Sequence, residues 1–252
     1  MLVLMSQFEW FLAICILVVG GGLLLQSVLN AMDARARRRR VDLVADEKTR
    51  GSLARKLGKT PHEWLVELLH DLREAGLFQD KREMTDEDLA THVEKQLRED
   101  WGEEGSVFPI DPTDELSALL VASFDKSRVW YDDLEADVCA ENQVYARDLP
   151  VWGRISCGAF QPESIVETWE GDEGPITVEF TLDGARHAVH PAFHDDWEDV
   201  EVLGAVNALI KESGRQFVAI DTGDQCGAVM AVTPEERKIL SGKCGLRIED
   251  IG

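Results

Sequence analysis

Three kinds of hydrophobic patterning follow one another along this chain, and each predicts a different element. The first is an unbroken apolar run: Phe11 to Leu29 is nineteen residues without a charge. As a helix rising about 1.5 Å per residue it would be roughly 28 Å long, close to the thickness of a bilayer's hydrocarbon core. Trp10 and Phe11 open the run and Leu29 closes it, and Arg35, Arg37, Arg38, Arg39 and Arg40 follow. Tryptophan favours the membrane interface, and arginines stay on the cytoplasmic side of a span. The pattern predicts a short extracytoplasmic stretch (1–10), a transmembrane helix (11–29), a basic juxtamembrane segment (30–40) and a cytoplasmic body, as in a single-pass protein of the bacterial inner membrane. A cleaved secretory signal has the reverse order, with its positive charges ahead of the apolar core.

The second pattern has the helical period and fills residues 41–104. Thr60, Pro61 and Glu63 form a capping box with a first-turn proline, and Trp64, Leu65, Leu68, Leu69 and Leu72 then recur on one face up to a stop at Gly76. Thr85 opens a second helix whose first turn carries Asp86, Glu87 and Asp88, with Leu89, Val93, Leu97 and Trp101 spaced by four. Together they predict an αα-hairpin. Gly102, Gly105, Pro109 and Pro112 then mark a linker at 105–112.

The third pattern is alternation. After a short helix opening at Thr113 and running through Phe124, the stretch from Ile165 to His190 reads as strand. Its middle sets Ile176, Val178, Phe180 and Leu182 against Thr177, Glu179, Thr181 and Asp183. Asp183 and Gly184 make a two-residue turn, which fixes the register: Leu182 opposite Ala185, Phe180 opposite His187, Val178 opposite Val189. A helix is predicted from Asp195 to Lys211, strands over 216–221 and 226–232, and a last helix behind the capping box Thr233, Pro234, Glu236. Residues 113–252 therefore predict an α+β domain, a small antiparallel sheet packed with helices.

Charge changes the picture. The chain has 26 Lys plus Arg and 48 Asp plus Glu. Residues 1–40 hold 5 and 2 of these, which leaves 21 against 46 and a net of −25 for residues 41–252. Such a body is repelled by phosphate backbones, so nucleic acid is excluded as a direct partner, and a basic protein becomes the expected one. The arginines after the span favour the anionic lipid leaflet. At 44% hydrophobic residues with seven tryptophans, the composition is that of a folded protein. Of five cysteines, none forms a C-x-x-C pair; in a reducing compartment they read as small buried hydrophobes.

Candidate chemistry is sparse, and no cofactor is predicted. Asp221, Thr222 and Gly223 behind an apolar strand resemble the catalytic tripeptide of aspartic proteases, in which two such loops share one proton. A single copy followed by only 29 residues, with Asp224 adding a like charge, fits a hairpin turn better. His187, His190, His194, Asp195 and Asp196 are the one histidine–carboxylate cluster with metal-ligand chemistry. His187 and His190 face opposite sides of their strand, however, and Asp195 and Asp196 fall at a predicted helix start. A hydrolytic or metal-dependent site would therefore have to draw on His187, Asp221 and Asp224, or on His190, His194, Asp195 and Asp196. The alternative is a binding surface of aromatic anchors among carboxylates, for which Trp130, Tyr131, Asp132 and Asp133, with Trp169 and Glu170, are the candidates.

Overall fold

The computed structural model describes residues 58–101, 110 and 116–252. The predicted span 11–29, its flanking Trp10 and arginines, and residues 41–57 lie outside them. Among the described residues no helix is long and apolar enough to cross a membrane.

Helix α1 (Pro61–Glu74) starts at the predicted capping box: the Thr60 hydroxyl accepts the Glu63 N–H at 3.2 Å, and the Glu63 carboxylate accepts the Thr60 N–H at 2.6 Å. Gly76, at φ +83°, ends it in the left-handed region that disfavours side chains. Helix α2 (Asp86–Trp101) folds back on α1 after a 3-10 turn, Gln79–Lys81. Leu65, Leu69, Leu72, Leu89, Val93 and Leu97 are fully or almost fully buried.

Two histidine contacts clamp the hairpin. His62 reaches Glu94 and Glu87, at 2.7 Å each, and His70 meets Asp86 at 3.0 Å beside Arg73. The bonds to Glu87 and Glu94 raise the His62 pKa above 6.5, so this clamp is complete below pH 6.5 and is lost as pH rises through the higher folded value. Comparing the thermal stability of wild type with His62→Ala across pH should show a difference largest below pH 6.5 that fades in alkali. Solvent screening keeps it under about 1 kcal/mol.

Helix α3 (Ser117–Ala122) leads into strand β1 (Val129–Asp133), and helix α4 (Val144–Ile155) follows. Strands β2 (Glu163–Trp169), β3 (Ile176–Leu182) and β4 (Ala185–Val189) form a three-stranded antiparallel meander. Its hairpin register is the predicted one: Leu182 pairs with Ala185, Phe180 with His187 and Val178 with Val189. Helix α5 (Leu203–Ile210), strands β5 (Gln216–Ile220) and β6 (Cys226–Val232), helix α6 (Pro234–Gly242) and strand β7 (Ile248–Asp250) complete the chain. The second sheet is antiparallel with order β1-β6-β5-β7. The architecture is thus α+β with two antiparallel sheets.

The four-stranded sheet is buried on both faces, which explains the apolar run of β6, six of whose seven residues are buried. Val129, Val218, Ile220, Ala228, Met230 and Val232 point into a first core shared with α1, α2, α3 and α6. Trp130, Phe217, Val229 and Ala231 point into a second core with α4, α5 and the meander. Phe160 stitches the two sheets together, edge to face with Phe180 at 5.5 Å and with Phe217 at 6.0 Å.

Residues Lys59–Gly252 make one compact unit. The stretch expected as a linker at 105–112 falls outside the described residues except for Ile110, which is buried in the first core. The helix expected from Asp195 is shorter. Asp195 sits at φ +55° in a turn closed by His194 and Trp197, and the Glu198 N–H bonds the Leu134 carbonyl at 2.8 Å, so 196–198 pairs with 134–136. Helical turns begin only at Val200, capped by Asp199.

Candidate functional site: an acidic surface over a buried carboxyl pair

Three loops converge at one end of the four-stranded sheet. The segment after β1 is tied to 196–198 by the Ala136 N–H to Asp196 carbonyl bond (2.9 Å) and the Glu135–Trp197 bridge. It is tied to the β5–β6 turn by the Leu134 N–H to Gln225 carbonyl bond (3.1 Å) and the Gln225 amide to Asp133 bond (2.7 Å). The loops bring Asp132, Asp133, Glu135, Asp137, Asp195, Asp196 and Asp224 to the surface, all exposed. Trp197 stands among them, 40% exposed. A large indole left in water within a field of carboxylates is the composition of a binding hot spot for a basic partner.

Beneath this surface the chain buries four more carboxyl groups: Asp148, Glu167, Glu198 and Asp199. Two are fully bonded. Glu167, on β2, accepts the Ala146 N–H (2.9 Å) at the start of α4 and the Trp169 indole N–H (2.8 Å). In effect it caps α4 from another element, since the side chain of Gln143, at the helix's own N-cap, bonds back to the Ala140 carbonyl and caps no helix N–H. Asp199 accepts the N–H groups of Ala192 (2.7 Å) and Glu201 (3.0 Å), while its own N–H donates to the Tyr145 hydroxyl (2.9 Å). Burial, with Asp199, Glu198 and Glu167 nearby, drives the Tyr145 pKa far up, so the phenol is neutral.

The remaining two carboxyls form a pair. Asp148 receives both Nε and Nη2 of its neighbour Arg147, at 3.0 and 2.8 Å. Glu198 has no donor on either carboxyl oxygen. Burial first, and then the charge of Asp148, push its pKa up to about 9. Two carboxylates only accept; once protonated, Glu198 donates to Asp148. Near neutral pH Glu198 is therefore a neutral acid. The sign for stability follows. A carboxyl whose folded value lies above its ordinary 4.5 costs nothing below pH 4.5 and destabilises increasingly as pH rises toward the folded value. Glu198→Gln should raise the melting temperature near neutral pH, and the gain should shrink in acid.

The residues singled out from the sequence are placed as follows. Asp221 and Asp224 each bond a backbone N–H of their own turn, Gly223 and Cys226 at 2.9 Å, and Asp221 also meets Arg247 at 3.2 Å. His187 lies on the other sheet, its ring against Phe180 at 5.9 Å, and no hydrogen bond or ion pair joins it to either aspartate. His190 touches Thr177 (3.2 Å). His194, Asp195 and Asp196 are exposed. Among the described residues no group of three or more His, Cys, Asp or Glu side chains has the geometry to hold a metal ion.

Trp130, read as a surface anchor, is 5% exposed and packs edge to face on Trp152 at 5.9 Å. Its indole serves the core, and the aromatic of the acidic surface is Trp197. Tyr131 is half-buried against the first core, with its hydroxyl pushed up to about 12 by burial and by Cys226. Asp132 and Asp133 do lie on the surface. Trp169 ends β2 on the other sheet, where it packs on Phe193 at 5.9 Å, and Glu170 follows the strand, exposed.

The sequence reading missed Asp148 and Glu198. The signal for Asp148 was its position on the buried stripe Tyr145, Asp148, Leu149, Trp152 of a helix that Pro150 disguises. Glu198 carried no local signal.

A cleft of about 390 Å³ lies elsewhere, lined by Asn207, Lys211, Arg215, Thr233 and Arg237 among others. Its two arginines are neutralised, Arg215 by Glu236 and Arg237 by Asp250.

In comparisons with protein-family models, with curated proteins and with solved structures, nothing matches this chain.

Proposed function

We propose that this chain is a membrane-anchored binding protein whose acidic α+β domain docks a basic protein through the surface around Trp197. The observation that carries the reading is the 40% exposed Trp197 among exposed carboxylates drawn from three separate loops. A scattered tryptophan on a random surface needs no explanation, but one set among exposed carboxylates, with Arg147 the neighbouring cation, supplies both an anchor and a steering field. The net −25 of residues 41–252 adds long-range attraction for the same class of partner. The uncharged run 11–29 and the arginines behind it support tethering to the bacterial inner membrane with the domain in the cytoplasm. The hydrolase alternative has less support: the candidate aspartates are held in turn bonds, and the described cleft borders neither them nor His187.

A photo-cross-linking side chain placed at position 197 of the full-length protein, in its own membrane, tests the reading. The expected adduct is with a protein rich in Lys and Arg, and it weakens steeply with added salt. Trp197→Ala should weaken binding of that partner by about 2 kcal/mol or more, as loss of a hot-spot anchor does. An adduct with an acidic or neutral partner, or one indifferent to salt, overturns the proposal, as does recovery of the full-length chain outside the membrane.

A further inference from the structure

We propose that the cleft at the open end of the β5–β6 hairpin, lined by Lys211, Arg215 and Arg237, binds a phosphate monoester. The site is independent of the docking surface around Trp197, which gathers at the turn end of the same hairpin.

Local structure gathers cations here from three places in the chain. Lys211 opens the 3-10 turn Lys211–Ser213 behind α5, and Gly214, at φ +74°, turns the chain toward β5. Arg215 directly precedes β5. Gln216 pairs with Val232, which sets Arg215 beside Thr233 and the start of α6, and Arg237 follows within that helix. The Asn207 amide bonds the Phe217 backbone at 2.9 and 2.6 Å and fixes the α5 wall against β5. The cleft so formed holds about 390 Å³, the size of a small-molecule site. Nine residues line it and none is a carboxylate, although residues 41–252 carry 46 carboxylates against 21 cations.

Arg215 and Arg237 are each matched by a carboxylate, Glu236 and Asp250, that stands outside the lining. Glu236, however, also holds the buried Arg128, and Lys211 is exposed with no carboxylate partner among the described residues. Four cations thus stand against two carboxylates, and the surplus of two matches a phosphate monoester, which carries about −2 near neutral pH. Donors remain as well as charge. Arg215 bonds Glu236 and the Ala231 carbonyl through Nη1 and Nη2, and Arg237 bonds Asp250 and the Ile248 carbonyl in the same way, so neither Nε–H is used. The Thr233 hydroxyl accepts the Glu236 N–H at 3.2 Å and keeps its own proton to donate. Guanidinium, ammonium and hydroxyl donors from separate elements suit the three acceptor oxygens of a phosphate, whereas a carboxylate offers two in one plane.

The test is calorimetric titration of the full-length protein in uncharged detergent micelles with glycerol phosphate, at constant ionic strength near neutral pH. The wild type should bind one equivalent with a Kd of about 1 mM or tighter. Lys211→Ala, at an exposed position, should bind about tenfold more weakly. Lys238→Ala, which removes an exposed cation outside the lining, should bind as the wild type does. Absence of saturable binding in the wild type would overturn the proposal, as would an unchanged affinity in Lys211→Ala. Equal losses in the two variants would reduce the site to a diffuse charge effect and overturn it too. Succinate binding as tightly as glycerol phosphate would make the cleft a carboxylate site and overturn the phosphate assignment. Micelles doped with phosphatidic acid, itself a phosphate monoester, identify the source of the group. If they suppress glycerol phosphate binding while micelles doped with the diester phosphatidylglycerol do not, the cleft takes a lipid headgroup; if neither suppresses it, the cleft takes a soluble ester.

Discussion

Phe160→Ala is expected to destabilise the described fold by about 3–5 kcal/mol, the range for removing a fully buried aromatic side chain. Phe160 is fully buried and lies between the sheets, its ring meeting Phe180 of β3 and Phe217 of β5 in edge-to-face contacts. Each such pair adds about 0.5–1.5 kcal/mol beyond area burial, and both vanish together. The surroundings have little freedom to close the void. The backbone at Phe160 is held by the Ser156 hydroxyl, which accepts the Phe160 N–H at 2.9 Å and donates to its carbonyl at 3.0 Å. Gly153 is also packed tightly beneath it, for a Cβ there would lie 3.1 Å from the Phe160 carbonyl oxygen. Denaturant unfolding of the variant should show a lower midpoint with an unchanged slope. A loss under 1 kcal/mol would mean the sheets do not rely on this contact.

Glu236→Ala should cost about 3 kcal/mol, toward the lower end of what breaking a buried ion pair costs, because its side chain keeps 15% of its exposure. One carboxylate serves two guanidiniums. Arg215 donates to it at 2.6 and 2.9 Å and Arg128 at 3.2 Å, while the Thr233 N–H adds 3.0 Å as part of the α6 capping box. Removing the carboxylate leaves Arg128, whose side chain is only 7% exposed, as a buried charge held by the carbonyls of Gly76 and Ala231 alone. Burial would raise the Glu236 pKa, but the Arg215 bonds, the Thr233 N–H and the charges of both arginines outweigh it, and the value is lowered below 4.5. With a depressed folded value, the contribution is present above about pH 4.5 and is lost as pH falls through the folded pKa. The gap between wild type and variant should therefore narrow in acid, and a gap independent of pH would contradict the electrostatic account.

Elements whose cause is local were legible in the sequence. The Thr60 and Thr233 capping boxes, the Asp183–Gly184 hairpin with its register, and strands β5 and β6 all declare themselves within a few residues. What escaped depends on distant partners. Helix α4 contains Pro150 and Gly153, begins without a cap of its own, and is held by a carboxylate from β2. Strand β7 is three residues long and exists by pairing with β5. The run Asp195 to Asp199 has the composition of a helix start, yet a turn at Asp195 and Asp196 and the pairing of 196–198 with 134–136 keep it out of the helix, and Glu198 is buried. For the same reason the acidic surface was only half legible: Asp132 and Asp133 could be read along the chain, whereas their meeting with Asp195, Asp196 and Trp197 is a product of tertiary pairing.

The first core has its own consequence for how the polypeptide tolerates cutting. Its walls come from α1 and α2 on one side of residue 112, and from Val218, Ile220, Met230 and Val232 on the other. Truncation near that point would remove α1 and α2, leave only α3 and α6 over this core, and expose apolar surface of the kind that drives clumping. Fragments starting beyond residue 112 should precipitate or demand chaperones, and adding the helical half back in trans should rescue their solubility.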